Sequence, residues 1–536
     1  MGNRTPLARI SRRRLAVTAA TLSLVTLSAC TPGNTTSSGP SGGVSSQTPA
    51  SAKTLSIGAV LEPPSIDPTA SSYVAAAQVE LYNVYETLVK VDPDGVLQPL
   101  LAQKWEISPD GKTYTFSINP AAKFASGKPV TADAIAKNIE RVRTGQVGGA
   151  DIKAPDGSVV KVDLKYASAM KVVSDAKASD ATTLVVTLTR PSNSWIYSMG
   201  DTPGMVADPD GFATLGTASA GSGPYAFQTW KKGDSITLAR NHGYWGAPAR
   251  FDLVTFKYIP DASAMNAAML GGTLDIIANE QAPDSLAQFQ ADPSKYTVLE
   301  GSSNGEVTMA VNNTSGVLKD VRVRQAIALA IDKKKILADV EAGYGTVLGT
   351  MGVPTDPYYQ DLSGVNAYDP TQAKALLQAA GVSDLTLRLR PLQVPYASAA
   401  ANDVAAMLKA VGINVTVEVL PGATWYTSVF KGGDYDLSIV SHAEARDVNI
   451  FDTDLFPGYY WHYTSPAFNA AWLAADSAPA ADYPAAMKKA TKQLADDAAA
   501  VWLYMMPNLV VTKATVTGVA ENATSDSFDV TTIATR

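Results

Sequence analysis

Cysteine is almost absent from this chain. Cys30 is the only one in 536 residues, and histidine occurs only at His242, His442 and His462. One thiol excludes an intramolecular disulfide, and three histidines without metal-like spacing exclude a zinc or copper centre built from His and Cys. Basic charge is scarce as well. Arg4, Arg9, Arg12, Arg13 and Arg14 crowd an acid-free leader, so beyond residue 29 only 38 Lys and Arg face 50 Asp and Glu. That acidic balance argues against a nucleic-acid partner, which requires a basic face, and is otherwise the ordinary surface of a soluble protein. No apolar run exceeds residues 15–29, which are too few to span a bilayer. No repeat of about 20 to 50 residues is present, so a solenoid or propeller is excluded.

The amino terminus carries an export signal. A basic region ends at Arg14, an apolar run follows, and Leu27-Ser28-Ala29-Cys30 resembles a lipobox. By that resemblance residues 1–29 are a lipoprotein signal peptide, and Cys30 receives a diacylglycerol that anchors the protein to the outer side of the cell membrane. Arg12-Arg13 also satisfies a loose twin-arginine pattern, so the export route stays open. Residues 30–53 then form a tether of Thr, Ser, Gly, Pro, Ala and Gln, with a coil reach on the order of 25 Å.

From residue 54 the pattern becomes that of a mixed α/β body. Alternation predicts a strand over 54–60, a Pro-Asp-Gly hairpin over 105–116, two strands within 170–189 and an irregular segment over 191–205. Apolar spacing predicts helices over 78–89, 262–270, 321–332 and 485–498, and Thr131, Asp320 and Asp369 stand where N-caps belong. The most informative stretch is 221–246. Tyr225, Phe227 and Thr229 alternate with Ala226, Gln228 and Trp230, Lys232-Gly233-Asp234 turns the chain, and Ile236, Leu238 and Arg240 resume the period of two.

Gly221-Ser222-Gly223-Pro224-Tyr225 and Asn241-His242-Gly243-Tyr244-Trp245-Gly246 resemble the Gly-Thr-Gly-Pro-Tyr and Asn-Pro-Tyr-Trp-Gly motifs of family 5 of the bacterial extracellular solute-binding proteins. The run Asp320-Val321-Arg322-Val323-Arg324-Gln325-Ala326, with Ala330-Ile331-Asp332 after it, is a second match, and others extend the likeness over residues 55–507. The resemblance implies an α/β, two-lobed periplasmic-binding-protein-like fold (type II, large) with an extra subdomain inserted in lobe I. Lobe I is then expected at 54–98, 216–306 and the returning 513–536, the inserted subdomain at 99–215 and lobe II at 307–512, with crossings near 303–306 and 510–513. It also implies a monomeric receptor that traps a solute by hinge closure and delivers it to the permease and ATPase subunits of an ABC importer, without a cofactor. A peptide is the leading solute, and an opine-like conjugate, an oligosaccharide or a nickel chelate is the alternative.

Chemistry on the solute is not expected. Gly301-Ser302-Ser303-Asn304-Gly305 spells a nucleophile elbow, but a strand follows it where a helix is required. Gly221 to Ala226 spells a dinucleotide fingerprint, again without the helix that a phosphate site needs. A secreted hydrolase is therefore disfavoured, and a purely structural surface protein is the remaining class. In dipeptide-binding members of the family an Arg before Pro-Tyr grips the ligand carboxylate and an Asp pairs with its amine; here Val394 and Ala445 occupy those places. Glu444 or Asp447 could take over the amine and Arg446 the carboxylate, the alternative being a surface loop paired with itself. Tyr73, Trp425, Tyr459, Tyr460 and Trp461 are candidates to stack on a ligand, with core packing as the other reading. His442 and His462 are candidates to hold a chelated metal, as in nickel-binding members, or to pack in a polar cleft.

Overall fold

A computed structural model describes residues 53–70, 74–443 and 446–536. The signal peptide, Cys30, nearly all of the tether, Tyr73 and Glu444 lie outside the described residues.

An eleven-stranded sheet runs through the described body, ten strands in one path and Thr346–Val347 paired with Ala500–Lys513 off it. The hairpin Tyr225–Lys231 and Ser235–Arg240 forms one edge, as the alternation predicts, followed by Leu253–Tyr258, Thr54–Ala59 and Ile276–Ile277. The long strands Ala500–Lys513 and Tyr296–Val311 come next, then Leu437–His442, Thr386–Leu389 and Asn414–Val417. The two long strands are antiparallel neighbours, but their register breaks between Ser302 and Glu306, opposite Pro507 and Met505.

That break divides the molecule into lobes. On one side, Leu299 and Val510 pack with Ile57, Val254 and Phe256, and Leu509 and Val511 pack with Met265 and Leu274. On the other, Met309, Val501 and Leu503 pack with Ile327, Val404 and Ile439. Leu509, Val510 and Val511, within the span expected for lobe II, pack with the core on the first side of the break. Residues 500–513 are buried almost throughout, so no change of polarity marks the crossing in the sequence.

Within 99–215 a separate four-stranded antiparallel sheet forms, in the order Ala102–Ile107, Thr113–Ile118, Thr183–Leu188, Val173–Ala178. The helix Ala132–Thr144 covers it through Ile135 and Ile139 and is capped by Thr131, whose hydroxyl accepts from Ala134 N–H at 3.1 Å.

The helix expected over 78–89 is much shorter. It spans Ala75–Glu80, and Tyr82 then adopts a left-handed φ of 64°. The phenol of Tyr82 donates to Gly200 O at 2.5 Å and accepts from Val91 N–H at 3.0 Å, fixing the turn from within. Residues 81–89 are buried on every side, so their apolar spacing reflects wrapping by the lobe and not one helical face.

The same irregular segment explains the motif residues. Glu86, 1% exposed, accepts from Ser222 Oγ at 2.7 Å, Tyr244 Oη at 2.8 Å and Trp245 Nε1 at 2.8 Å. One carboxylate thus ties both halves of the Gly-Ser-Gly-Pro-Tyr and Tyr-Trp-Gly motifs together. Gly221 and Gly223 belong to the same joint: a Cβ on either would stand 1.9 Å from Val84 O or 2.6 Å from Asn83 O, so only glycine admits this close approach.

Burial raises the Glu86 pKa to about 7, against the lowering effect of those three donors. The folded state therefore holds the proton while the unfolded chain releases it, so this group favours folding at low pH. Its contribution declines as pH rises from about 4.5 to 7, by about 3 kcal/mol at most. Glu341, also raised to about 7 by burial, acts in the same direction. Urea unfolding of the wild type against Glu86→Gln across this window is expected to show a shallower decline in the variant; equal slopes would contradict the assignment.

Candidate functional site

The strand Leu437–His442 ends opposite the register break, with His442 paired to Glu306. The chain then reaches Arg446, in a left-handed conformation with φ of 58°, and enters the short turn Asp447–Phe451. That conformation is costly for a residue with a Cβ and needs compensating contacts. The guanidinium carbon of Arg446 lies 3.3 Å from the Tyr197 ring centroid and 5.9 Å from that of Tyr483, a cation–π pairing between the inserted subdomain and lobe II. Asp356 belongs to the same neighbourhood. Burial lifts its pKa to about 6, while the Val353 N–H and the charge of Arg446 pull the other way.

Next to this contact a cavity of about 480 Å³, part of it open to solvent, lies between the inserted subdomain and lobe II. Lys165, Tyr197 and Asp201 come from the subdomain, Asp447 and Phe456 from lobe II, and Asp526 from the carboxyl-terminal segment. Asp201, Asp447 and Asp526 are each only 7% exposed. Three acidic side chains and one basic one thus line this wall, each already engaged with other groups of the chain.

Of the residues singled out from the sequence, Arg446 and Asp447 are brought to this interlobe region. Trp425, His442, Tyr460 and Trp461 are instead packed into an aromatic stack inside lobe II. Trp461, 1% exposed, lies with ring centroids 4.8 Å from Phe451, 4.8 Å from His442 and 4.6 Å from Tyr460. His442 Nε2 is 3.0 Å from the Tyr460 hydroxyl, and Trp425 Nε1 donates to Ser438 Oγ at 2.9 Å. Of the two readings of Trp425, Tyr460 and Trp461, the packing here is the core one, with their faces buried against one another in the second lobe, although Trp461 also lines a second cavity. Tyr459 and His462 line a second, more apolar cavity of about 470 Å³ that shares Phe456 with the first. Burial lowers the His462 pKa. Among the described residues no group of three or more His, Cys, Asp or Glu could hold a metal ion.

Sequence reasoning missed Lys165, Asp201, Phe456 and Asp526. Asp201 had a visible signal, because it caps the turn Thr202–Gly204 within the irregular segment and accepts from Thr202 N–H at 2.7 Å. Asp526 had none, since it sits in a polar tail without periodicity.

Comparison with known proteins agrees with this architecture. The pattern of the bacterial extracellular solute-binding proteins, family 5 Middle, matches residues 96–468. The chain is 30% identical over 307 residues to the nickel-binding periplasmic protein of Escherichia coli strain K12, covering 56% of each chain. It is 30% identical over 332 residues to heme-binding protein A of Haemophilus influenzae, covering 58% of each. These alignments span little more than half the length of either relative. The solved ABC transporter-associated periplasmic binding protein DppA from Helicobacter pylori, in complex with the peptide STSA, superposes with a TM-score of 0.78 at 21% identity, covering 90% of this chain and 98% of that one. At that identity the likeness shows the fold.

Because Trp461 serves as core, Trp461→Ala is expected to lower the unfolding free energy by about 3–5 kcal/mol in urea titrations. A variant of unchanged stability would return Trp461 to the candidate ligand contacts.

Proposed function

Because this chain belongs to family 5 of the bacterial extracellular solute-binding proteins, a family of transport binding proteins and not of enzymes, we propose that it captures a short peptide for an ABC importer. The observation that carries the peptide reading is the acid-lined cavity between the lobes. Asp201, Asp447 and Asp526 suit a peptide ammonium, and Lys165 supplies a cation for its carboxylate. Fold does not select the solute, since relatives named for nickel, heme and peptide share it.

In this reading Cys30 is the lipid anchor, residues 31–53 hold the body clear of the membrane, and a monomer presents its closed form to the permease. Lobe I comprises 54–98, 216–302 and the carboxyl-terminal segment, with the subdomain of 99–215 inserted; lobe II lies between the crossings at 303–306 and 505–507. Closure is driven by contacts that only the closed form makes, because a solute can shift the equilibrium no further than its differential affinity for the two forms.

Mass spectrometry of the small molecules released on denaturing the purified protein tests this directly. Recovered peptides, together with at least a roughly tenfold loss of affinity for them in Asp447→Asn, are the expected result. A sugar, a conjugate or a metal chelate would retain the receptor and overturn the peptide assignment. Turnover of ester or peptide substrates would overturn the receptor itself.

A further inference from the structure

Resting on the solute-trapping reading, we infer that Asp476 of lobe II and residues 190–194 of the inserted subdomain form a closing latch, which sets solute affinity without touching the solute. Asp476 ends the helix Pro466–Asp476 and is 1% exposed. Its carboxylate accepts from Arg190 Nη1 at 2.5 Å, Ser192 Oγ at 2.8 Å and the Ser194 N–H at 2.8 Å. Its backbone carbonyl accepts from the N–H of Asn193 at 2.8 Å and from Asn193 Nδ2 at 2.8 Å, and Nδ2 also donates to Ala478 O at 2.8 Å. The Arg190 guanidinium lies 5.1 Å from the ring centroid of Trp472, on the same helix.

The position of Asp476 makes these contacts consequential. A carboxylate at a helix C-terminus faces the negative end of the helix dipole, and the last carbonyls there lack intrahelical partners. The inserted subdomain supplies both a cation for the carboxylate and amide donors for the carbonyls. Separating the lobes would exchange each of these for water, so the set contributes to the closed form alone. The latch also leads into the solute cavity: the amide of Ser194 that Asp476 holds precedes the helical turn Trp195–Ser198, which carries Tyr197 to the cavity wall and to Arg446. Arg190 and Asp476 are therefore positioning residues. Their loss lowers the closed fraction, and the apparent affinity falls with it.

Hydrogen–deuterium exchange on the full-length chain tests the latch without a solute. In the wild type the amides of Asn193 and Ser194 are expected to exchange slowly. Asp476→Asn and Arg190→Ala should speed exchange across 191–198 on the order of tenfold, with the core strand over 501–511 unchanged. Arg190→Lys, which keeps the charge, should retain intermediate protection. Unaltered exchange at 191–198 in both weakened variants, or an equal rise along 501–511, would overturn the latch. Binding kinetics with a random tripeptide mixture separate the two ideas. Faster release with unchanged association in Asp476→Asn supports the latch, and release as slow as in the wild type overturns its role in affinity. A wild type that binds no tripeptide, while the variants still lose protection at 191–198, refutes the peptide reading and leaves the latch standing.

Discussion

Everything in this fold depends on two strands that belong to both lobes. Tyr296–Val311 and Ala500–Lys513 pair along most of their length, yet between Ser302 and Glu306 backbone pairing gives way to local substitutes. Ser303 Oγ donates to Met506 O at 2.6 Å and accepts from Gly305 N–H at 2.9 Å, and the buried Glu306 carboxylate accepts from Gly352 N–H. A continuous ladder would resist bending at every rung, whereas a break bridged by side chains concentrates deformation in a few residues. The carboxyl-terminal segment reinforces the joint from the first-lobe side. Ala523 N–H donates to Ser302 O at 2.9 Å, Asn304 Nδ2 donates to Thr524 O at 2.7 Å, and Val530 N–H donates to Asn83 Oδ1 at 3.0 Å. Gly301 is required beneath this strap, because a Cβ there would stand 1.8 Å from Glu521 O. The polar tail is thus structural, and it also brings Asp526 to the cavity.

The chain buries carboxylates in two contrasting settings. Glu86 sits within the first lobe, surrounded by fixed donors and largely protonated below pH 7, where it joins distant motif segments. Asp201, Asp447 and Asp526 are buried at the meeting of separate parts of the chain, so under the proposed closure the space between them would change. The first arrangement favours rigidity. Under the proposed solute-trapping function, the second would couple charge recognition to closure.

The sequence made much of the architecture legible where short-range patterns carry it. Strand alternation at Tyr225 to Arg240, the caps at Thr131, Asp320 and Asp369 and the hairpin around Pro109-Asp110-Gly111 all depend on neighbours within a few residues, and the fold contains each of them. The misreading arose where burial is uniform. Residues 81–89 are enclosed on all sides, so apolar spacing did not reveal the end of a helix at Glu80. The site divided on the same principle. Arg446 and Asp447 stood out as charges beside the place where dipeptide-binding members of the family carry an Asp, whereas Lys165 and Asp526 come from segments joined to them only by tertiary packing. Trp425, Tyr460 and Trp461 stood out by residue type, but their rings stack on one another inside lobe II.

The departure at Val394 gains a physical meaning from the structure. Val394 precedes the helix Pro395–Ala410, makes no side-chain capping bond and packs against the lobe II core, so it offers a solute no charge. The cations beside the interlobe cavity come from elsewhere. Lys165 lines it from the inserted subdomain, and Arg446 approaches from lobe II but is stacked on Tyr197. Under the proposed peptide reading, a solute carboxylate would compete for Lys165 with the partner it already has, while Asp447 faces the cavity from lobe II. Anchoring the two ends of a zwitterion on opposite lobes makes both contacts at full strength only when the lobes are together. Under that proposal, recognition of charge and closure of the cleft become a single energetic event.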